Sequence, residues 1–249
     1  MLRNSRCDFM HGWRGRIGLI VPSINTTMEP ELYELAPEGV AIYATRVVSS
    51  RSQPIERLLD YESSLESASD ALAAICDVII YGCTTGSLVK GLGYDQKIIQ
   101  RIEKRSRLPA STTSTAVVEA LREMNMTKLA VATPYLQELD VLVKKFLEDH
   151  GFEVVNLKSL GQISGLKGIG ANVPEVSYRL AREVCDKRAD GVFISCTNLR
   201  TIEVISKLEQ DIGKPVISSN QASMWKALKL IGVREPIKGY GLLLGDKLN

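Results

Sequence analysis

Two rhythms of hydrophobic and polar residues alternate along the chain. Short apolar runs rich in Val and Ile are separated by longer stretches in which apolar residues recur every three or four positions. That alternation predicts parallel α/β units. The short runs predict strands at Arg16–Val21, Val40–Val48, Val78–Gly82, Ala110–Thr112, Lys128–Thr133, Phe152–Leu157, Gly191–Ser195 and Pro215–Ser218. The longer stretches predict helices near Pro54–Ile75, Asp95–Arg105, Thr115–Glu123, Leu136–His150, Val176–Lys187, Leu199–Gln210 and Ser223–Ile231. The runs at Val78–Tyr81 and Gly191–Ile194 are almost continuously apolar, which suits central strands covered on both faces.

An internal repeat organises these elements. Arg16-Ile-Gly-Leu-Ile-Val-Pro22 recurs 112 positions on as Lys128-Leu-Ala-Val-Ala-Thr-Pro134. Asp77-Val-Ile-Ile-Tyr-Gly-Cys83-Thr84 recurs 113 positions on as Asp190-Gly-Val-Phe-Ile-Ser-Cys196-Thr197. A looser pair, Pro109-Ala-Ser-Thr-Thr and Pro215-Val-Ile-Ser-Ser, has an offset of 106. The expected fold is therefore α/β with two similar lobes, each a parallel sheet flanked by helices, related by a pseudo-twofold axis. Residues 1–15 read as an N-terminal tail, 16–126 as the first lobe and 127–249 as the second, whose C-terminal segment can pack back on the first. Ligands of open α/β sheets bind beyond the carboxyl ends of the strands, so the expected site is the cleft between the lobes.

Composition narrows the function. The 249 residues are 45% hydrophobic and 24% charged, with a net charge of +2, which is a globular balance without a basic footprint for nucleic acid. No apolar run approaches the roughly 18 residues of a membrane helix. Two histidines, His11 and His150, exclude a multi-histidine metal centre, and His150 before Gly151 reads as a helix end. Histidine-assisted serine or cysteine hydrolysis is disfavoured for the same reason. The five cysteines, Cys7, Cys76, Cys83, Cys185 and Cys196, form no CxxC pair, and Met1–Trp13 is polar and short of an apolar core, so no signal peptide is expected. Free thiols in a cytoplasmic, reducing compartment are the expectation. Met10 is an alternative start, because the first clear strand begins only at Ile17.

Cys83 and Cys196 each follow a strand and precede a predicted helix start, in equivalent places of the repeat. A helix N-terminus favours thiolate and anions, so two such ends facing one cleft can cradle a carboxylate without Arg or Lys. Thr84-Thr85-Gly86-Ser87 and Thr197-Asn198 add polar donors. One thiolate can act as nucleophile or base while the opposite thiol supplies a proton. Two buried, unreactive strand-end cysteines remain the plainer alternative. Cys76 and Cys185, at helix ends among apolar neighbours, read as small buried hydrophobes. Gly165–Gly170 has the wrong order for a dinucleotide fingerprint, and Leu92 stands where a phosphate loop has lysine. No cofactor and no metal are expected.

Three stretches resemble a known family: Val21-Pro-Ser-Ile-Asn25-Thr-Thr-Met-Glu-Pro-Glu31, Cys83-Thr84-Thr85-Gly86-Ser87 and Cys196-Thr197-Asn198-Leu199-Arg200-Thr201. They are similar to the aspartate/glutamate racemase superfamily, in particular its maleate cis-trans isomerase and arylmalonate decarboxylase branch, from about Ile17 to Leu244. The opening motif with Asn25 is similar to the isomerases, whereas Ser111–Ala116 and Ala132–Tyr135 are similar to the decarboxylase. The resemblance implies Cys83 as the nucleophile that adds to an alkene and Cys196 as the proton donor and acceptor on the other face. It implies that Tyr135, Asn25 and Asn172 hold substrate carboxylates, and that Thr84 and Thr85 fall at a dioxyanion hole. The decarboxylase has glycine at the place of Cys83, so two thiols point to the isomerase side. Thr197-Asn198-Leu199 departs from the usual isomerase sequence.

Ordinary structural roles stand beside these. Asn25-Thr26-Thr27 before Glu29 also reads as a helix N-cap, Tyr135 as a half-buried core aromatic, and Asn172 as a turn residue before Pro174. The function expected is cofactor-independent cis-trans isomerisation of a small dicarboxylate, with Cys83 and Cys196 catalytic and Asn25, Thr84, Thr85, Tyr135, Asn172 and Thr197 binding. A decarboxylase or racemase of the same superfamily and a non-catalytic small-acid binding protein are the alternatives. The expected partner is a small carboxylate, with neither nucleic acid nor membrane, and a homo-oligomer is compatible with the sequence.

Overall fold

Strands form at all eight places the hydrophobic runs mark: β1 (Gly15–Pro22), β2 (Val40–Val47), β3 (Val78–Tyr81), β4 (Ala110–Thr112), β5 (Lys128–Thr133), β6 (Glu153–Ser159), β7 (Gly191–Ile194) and β8 (Val216–Ser218). The computed structural model describes residues 10–248, so Cys7 lies outside the described residues. The strands make two four-stranded, all-parallel sheets in the orders β2-β1-β3-β4 and β6-β5-β7-β8. The sequence repeat is thus a repeat of topology. β3 and β7 are wholly buried between helix layers, which explains their unbroken apolar sequences.

The helices are α1 (Met28–Leu35), α2 (Pro54–Asp60), α3 (Leu65–Ala73), α4 (Thr84–Leu88), α5 (Tyr94–Ser106), α6 (Thr113–Glu123), α7 (Gln137–Asp149), α8 (Pro174–Val184), α9 (Ile202–Ile212), α10 (Ser219–Leu230) and α11 (Leu242–Asp246). The single helix expected over Pro54–Ile75 is instead α2, a 3-10 turn at Tyr61–Ser64, and α3. The Ser63 hydroxyl donates to the Asp60 carbonyl at 2.7 Å and Ser67 to that of Ser64 at 3.0 Å, the back-bonding that bends a helix. α6 and α10 begin earlier than expected, because Thr112 and Ser218 cap them. Each accepts the amide three residues on, Thr115 at 3.1 Å and Gln221 at 3.2 Å.

Equivalent contacts recur at the repeat's own offsets. Asp77 accepts the Arg16 amide at the start of β1, and Asp190 accepts the Lys128 amide at the start of β5, both at 2.8 Å. Glu103 accepts the Ala110 amide at 3.2 Å and Glu209 the Val216 amide at 2.9 Å. The halves meet along α6 and α10, where Lys226 pairs with Glu119 at 2.5 Å and Ser223 donates to Thr113 at 3.1 Å. The C-terminal segment touches both halves: Tyr240 donates to Glu34 at 3.0 Å, and the Trp225 indole donates to the Lys247 carbonyl at 2.8 Å. Among the described residues no helix is long and apolar enough to cross a membrane.

Candidate active site

Six loops at the carboxyl ends of the strands close on one cleft of about 520 Å³, open to solvent. They fall into three equivalent pairs. The loops after β1 and β5 contribute Asn25 and Tyr135. Those after β3 and β7 contribute Cys83 and Cys196. Those after β2 and β6 contribute Arg57 and Ser164. Thr84, Thr85, Thr197 and Asn198 complete the polar lining, while Pro22, Ile24, Pro54, Leu58 and Leu139 make an apolar wall.

Both thiols sit at the base of the cleft, 6% and 9% exposed. Cys83 is the N-cap of α4, its sulfur accepting the Gly86 amide at 3.3 Å. Gly82 before it has no room for a side chain, since a Cβ there would stand 2.6 Å from the Met28 sulfur of α1. Cys196 adopts φ +117°, a region that a non-glycine residue enters only under strain. Its amide donates to Ser219 Oγ at 3.0 Å, and the Asn198 amide donates to its sulfur at 3.3 Å. Ser219 also accepts the Thr84 hydroxyl at 2.9 Å, so one hydroxyl ties the two cysteine loops together.

Amide donors were expected to favour thiolate, and they are present. Burial outweighs them. It pushes the Cys83 thiol up to about 11, against the Gly86 amide and the Thr85 hydroxyl that pull it down. It pushes the Cys196 thiol up to about 12, against the Asn198 amide and the Tyr135 hydroxyl, with the neighbouring Cys83 adding to the rise. At neutral pH burial therefore favours the neutral thiol at both positions. Among the described residues no group of three His, Cys, Asp or Glu could hold a metal ion.

Asn25 serves two purposes at once. Its Oδ1 accepts the Thr27 and Met28 amides at 3.0 and 2.9 Å, capping α1, and its Nδ2 donates to Thr197 Oγ1 of the other half at 2.9 Å. Tyr135 OH lies 3.2 Å from Ser195 Oγ and beside the Cys196 thiol. Asn172 is placed differently from the rest. It is absent from the cleft lining, and its Nδ2 donates to Gln162 at 2.6 Å and to the Ile169 carbonyl at 2.8 Å. Cys76 is buried, but Cys185 is only half-buried at the end of α8.

The model of the arylmalonate decarboxylase family matches residues 17–244, nearly the whole chain. The chain belongs to this family. Among relatives, the maleate isomerase of Pseudomonas putida is 29% identical over 244 residues, covering 92% of this chain and 96% of its own. A structure of the maleate isomerase Iso from Pseudomonas putida S16, a cysteine-to-alanine variant with maleate, superposes with a TM-score of 0.87 at 26% identity, covering 92% of this chain and 97% of its own. A cysteine-to-serine mutant of the Nocardia farcinica maleate cis-trans isomerase, with a covalently bound succinylcysteine intermediate, gives 0.85 at 25% identity over 92% of this chain and 98% of its own.

For this member of the arylmalonate decarboxylase family, sequence reasoning missed the outer lining. Arg57 also lines the cleft, a cation that the sequence reading did not place there. Its Nε and Nη2 donate to the Arg51 and Ser52 carbonyls at 3.0 and 2.7 Å. Tyr61 occupies the 3-10 turn that interrupts the expected helix, and Ser164 comes from the loop after β6. None of these carries a local motif; only the fold brings them to the cysteines.

Proposed function

We propose that this protein is a cofactor-independent cis-trans isomerase of a maleate-type dicarboxylate, using Cys83 and Cys196. The observation that supports it most is two thiols, from equivalent strand ends, lining one cleft with polar donors on both sides. The likeness to a maleate isomerase carrying a succinylcysteine supports covalent addition by one of them.

In this reading Cys83 gives up its proton to solvent and its thiolate adds to one alkene carbon. The alkene pair moves onto the neighbouring carbon and its carboxylate. Cys196 then protonates that carbon, leaving a single bond that rotates. The Cys196 thiolate takes the proton back, the double bond re-forms in the trans geometry, and Cys83 departs as thiolate. Donors placed where the enolate charge develops would supply the largest share of the stabilisation: Asn25 and Thr85 with the Thr84 and Thr85 amides of α4, joined by the Thr84 and Thr197 hydroxyls once these turn from Ser219 and the Gly82 carbonyl. Tyr135 would serve Cys196 as well as substrate. Asn172 stays outside this set unless its amide leaves Gln162. Arg57 would hold the second carboxylate at the mouth. Such chemistry suits the cytoplasm, where the thiols stay reduced.

Proton NMR of maleate incubated with the protein tests this directly. The maleate vinyl signal should be replaced by that of fumarate, and Cys83→Ala and Cys196→Ala should each lose at least about three orders of magnitude in rate. Near-wild-type turnover by either variant would sink the two-thiol mechanism. Release of carbon dioxide from arylmalonates without isomerisation of maleate would move the assignment to a decarboxylase, a reading that the apolar wall of Pro22, Ile24, Leu58 and Leu139 supports.

A further inference from the structure

Glu31 takes no part in the chemistry above, yet the residue is only 4% exposed and its carboxylate reaches from α1 to the second half. Oε1 accepts the Thr201 amide at 2.7 Å and the Ile202 amide at 3.4 Å, at the start of α9. Oε2 accepts Asn220 Nδ2 at 2.6 Å and lies 3.5 Å from the Thr201 hydroxyl. The same Asn220 nitrogen donates to the Thr197 carbonyl at 3.1 Å. Thr197 directly follows the strained Cys196, and its hydroxyl meets Asn25 of the first half.

We propose that Glu31 is a positioning residue for the second thiol: its ionised carboxylate, acting through Asn220, holds the Cys196–Thr197–Asn198 turn against the first half. The partners decide why ionisation matters. Two backbone amides and a carboxamide NH₂ can only donate, so a carboxylate matches them all. A protonated Oε2 has a hydrogen where Asn220 Nδ2 now donates, so it must turn to the Thr201 hydroxyl or make Asn220 present its otherwise unpartnered Oδ1, and either way the Asn220 Nδ2 bond is weakened. Asn220 in turn loosens on the Thr197 carbonyl, and the positive-φ turn at Cys196 loses a restraint.

The charged groups bearing on Glu31 come from the α9 side. Glu203 opposes its ionisation, and Arg200, paired with Glu203 at 2.5 Å, offsets that. α10 presents the neutral Asn220, and Glu34 of α1 is engaged with Tyr240. Burial, the largest influence, pushes Glu31 up to about 7, so the device changes state near neutrality.

The consequence for turnover rests on the isomerase reading, but the link itself can be read without turnover. The intact protein is alkylated with iodoacetamide across a pH series, and modification of Cys196 and Cys83 is counted separately by mass spectrometry. Both thiols lie far below their own ionisation range there, so each rate climbs tenfold per pH unit and their ratio stays flat unless one loop changes. The expected result is a ratio of Cys196 to Cys83 labelling that is several-fold higher below about pH 7 than above it. In Glu31→Gln the ratio should be flat at the high, low-pH value. In Asn220→Ala, which cuts the link and leaves the carboxylate in place, the step should vanish as well. A flat ratio in the wild type overturns the proposal, as does a step that survives Asn220→Ala. Should Glu31→Gln not fold, the wild type and Asn220→Ala decide. A protein inert to maleate but showing the step would reject the isomerase reading and keep this one.

Discussion

A thiol at the first turn of α4 is subject to two opposed influences: amide dipoles that lower its pKa and a buried cleft that raises it. At Cys83 the cleft prevails, and at Cys196 it prevails further. The reactive thiolate is then a minor species at neutral pH. Since an acid below its pKa gains tenfold in ionised fraction per pH unit, the isomerase rate should rise steeply from neutral to alkaline pH, with no plateau before about 11 unless the fold fails first. A pH–rate profile checks this, and a plateau near neutrality would mean that substrate binding itself lowers the thiol pKa. Arg57 gives a second expectation. Arg57→Met should raise KM for maleate about tenfold, equivalent to ~1.4 kcal/mol, with kcat changed little, as follows from a cation that binds ground and transition states alike. Steady-state kinetics on the two proteins separates those parameters.

At the scale of elements, the caps and breaks carry the information. Ser218 caps α10 within a reciprocal box with Gln221. Ser218→Ala should cost about 1 kcal/mol, measured as a lower urea midpoint, while alkylation of Cys83 stays as in the wild type. The strands were legible because β1, β3, β5 and β7 are covered on both sides and need continuous apolar sequence. Cys83 and Cys196 were legible because the repeat marks both at one place. α2 and α3 read as one helix in the sequence, since Ser63 and Ser67 interrupt no hydrophobic period, and their hydroxyls act only through local back-bonding. Asn25 was read both as a cap and as a cleft residue, and its carboxamide is in fact divided between the two. Arg57, Tyr61 and Ser164 were illegible, because their approach to the thiols depends on loops far apart in sequence.

For the whole molecule, the joint between the halves is polar where it matters. In the sequence Glu31 is only the last residue of the Val21–Glu31 stretch, and only the packing of α9 and α10 over it makes it a buried charge. Its folded pKa of about 7 stands above the ordinary 4.5. Between those values the native state keeps a proton that the unfolded chain has lost, so stability is greatest below about 4.5 as far as this group goes, and falls as pH rises through about 7. The difference amounts to ~3 kcal/mol. Denaturant titrations at several pH values should show that decline, and Glu31→Gln should flatten it. Stability is thus spent on a charge whose service is to the second thiol.

The paired loops around the cleft have one more implication. Two identical half-length subunits meeting isologously would present the same side chains to both faces of a ligand, thiol opposite thiol, and neither could specialise. With both copies in one covalent chain, the constraint of sameness is lifted while the geometry persists. Thr-Thr-Gly follows one sulfur and Thr-Asn-Leu the other; one strand end leads into a short helix, the other into a strained turn latched by a carboxylate. A division of labour between nucleophile and proton carrier is what that asymmetry makes available.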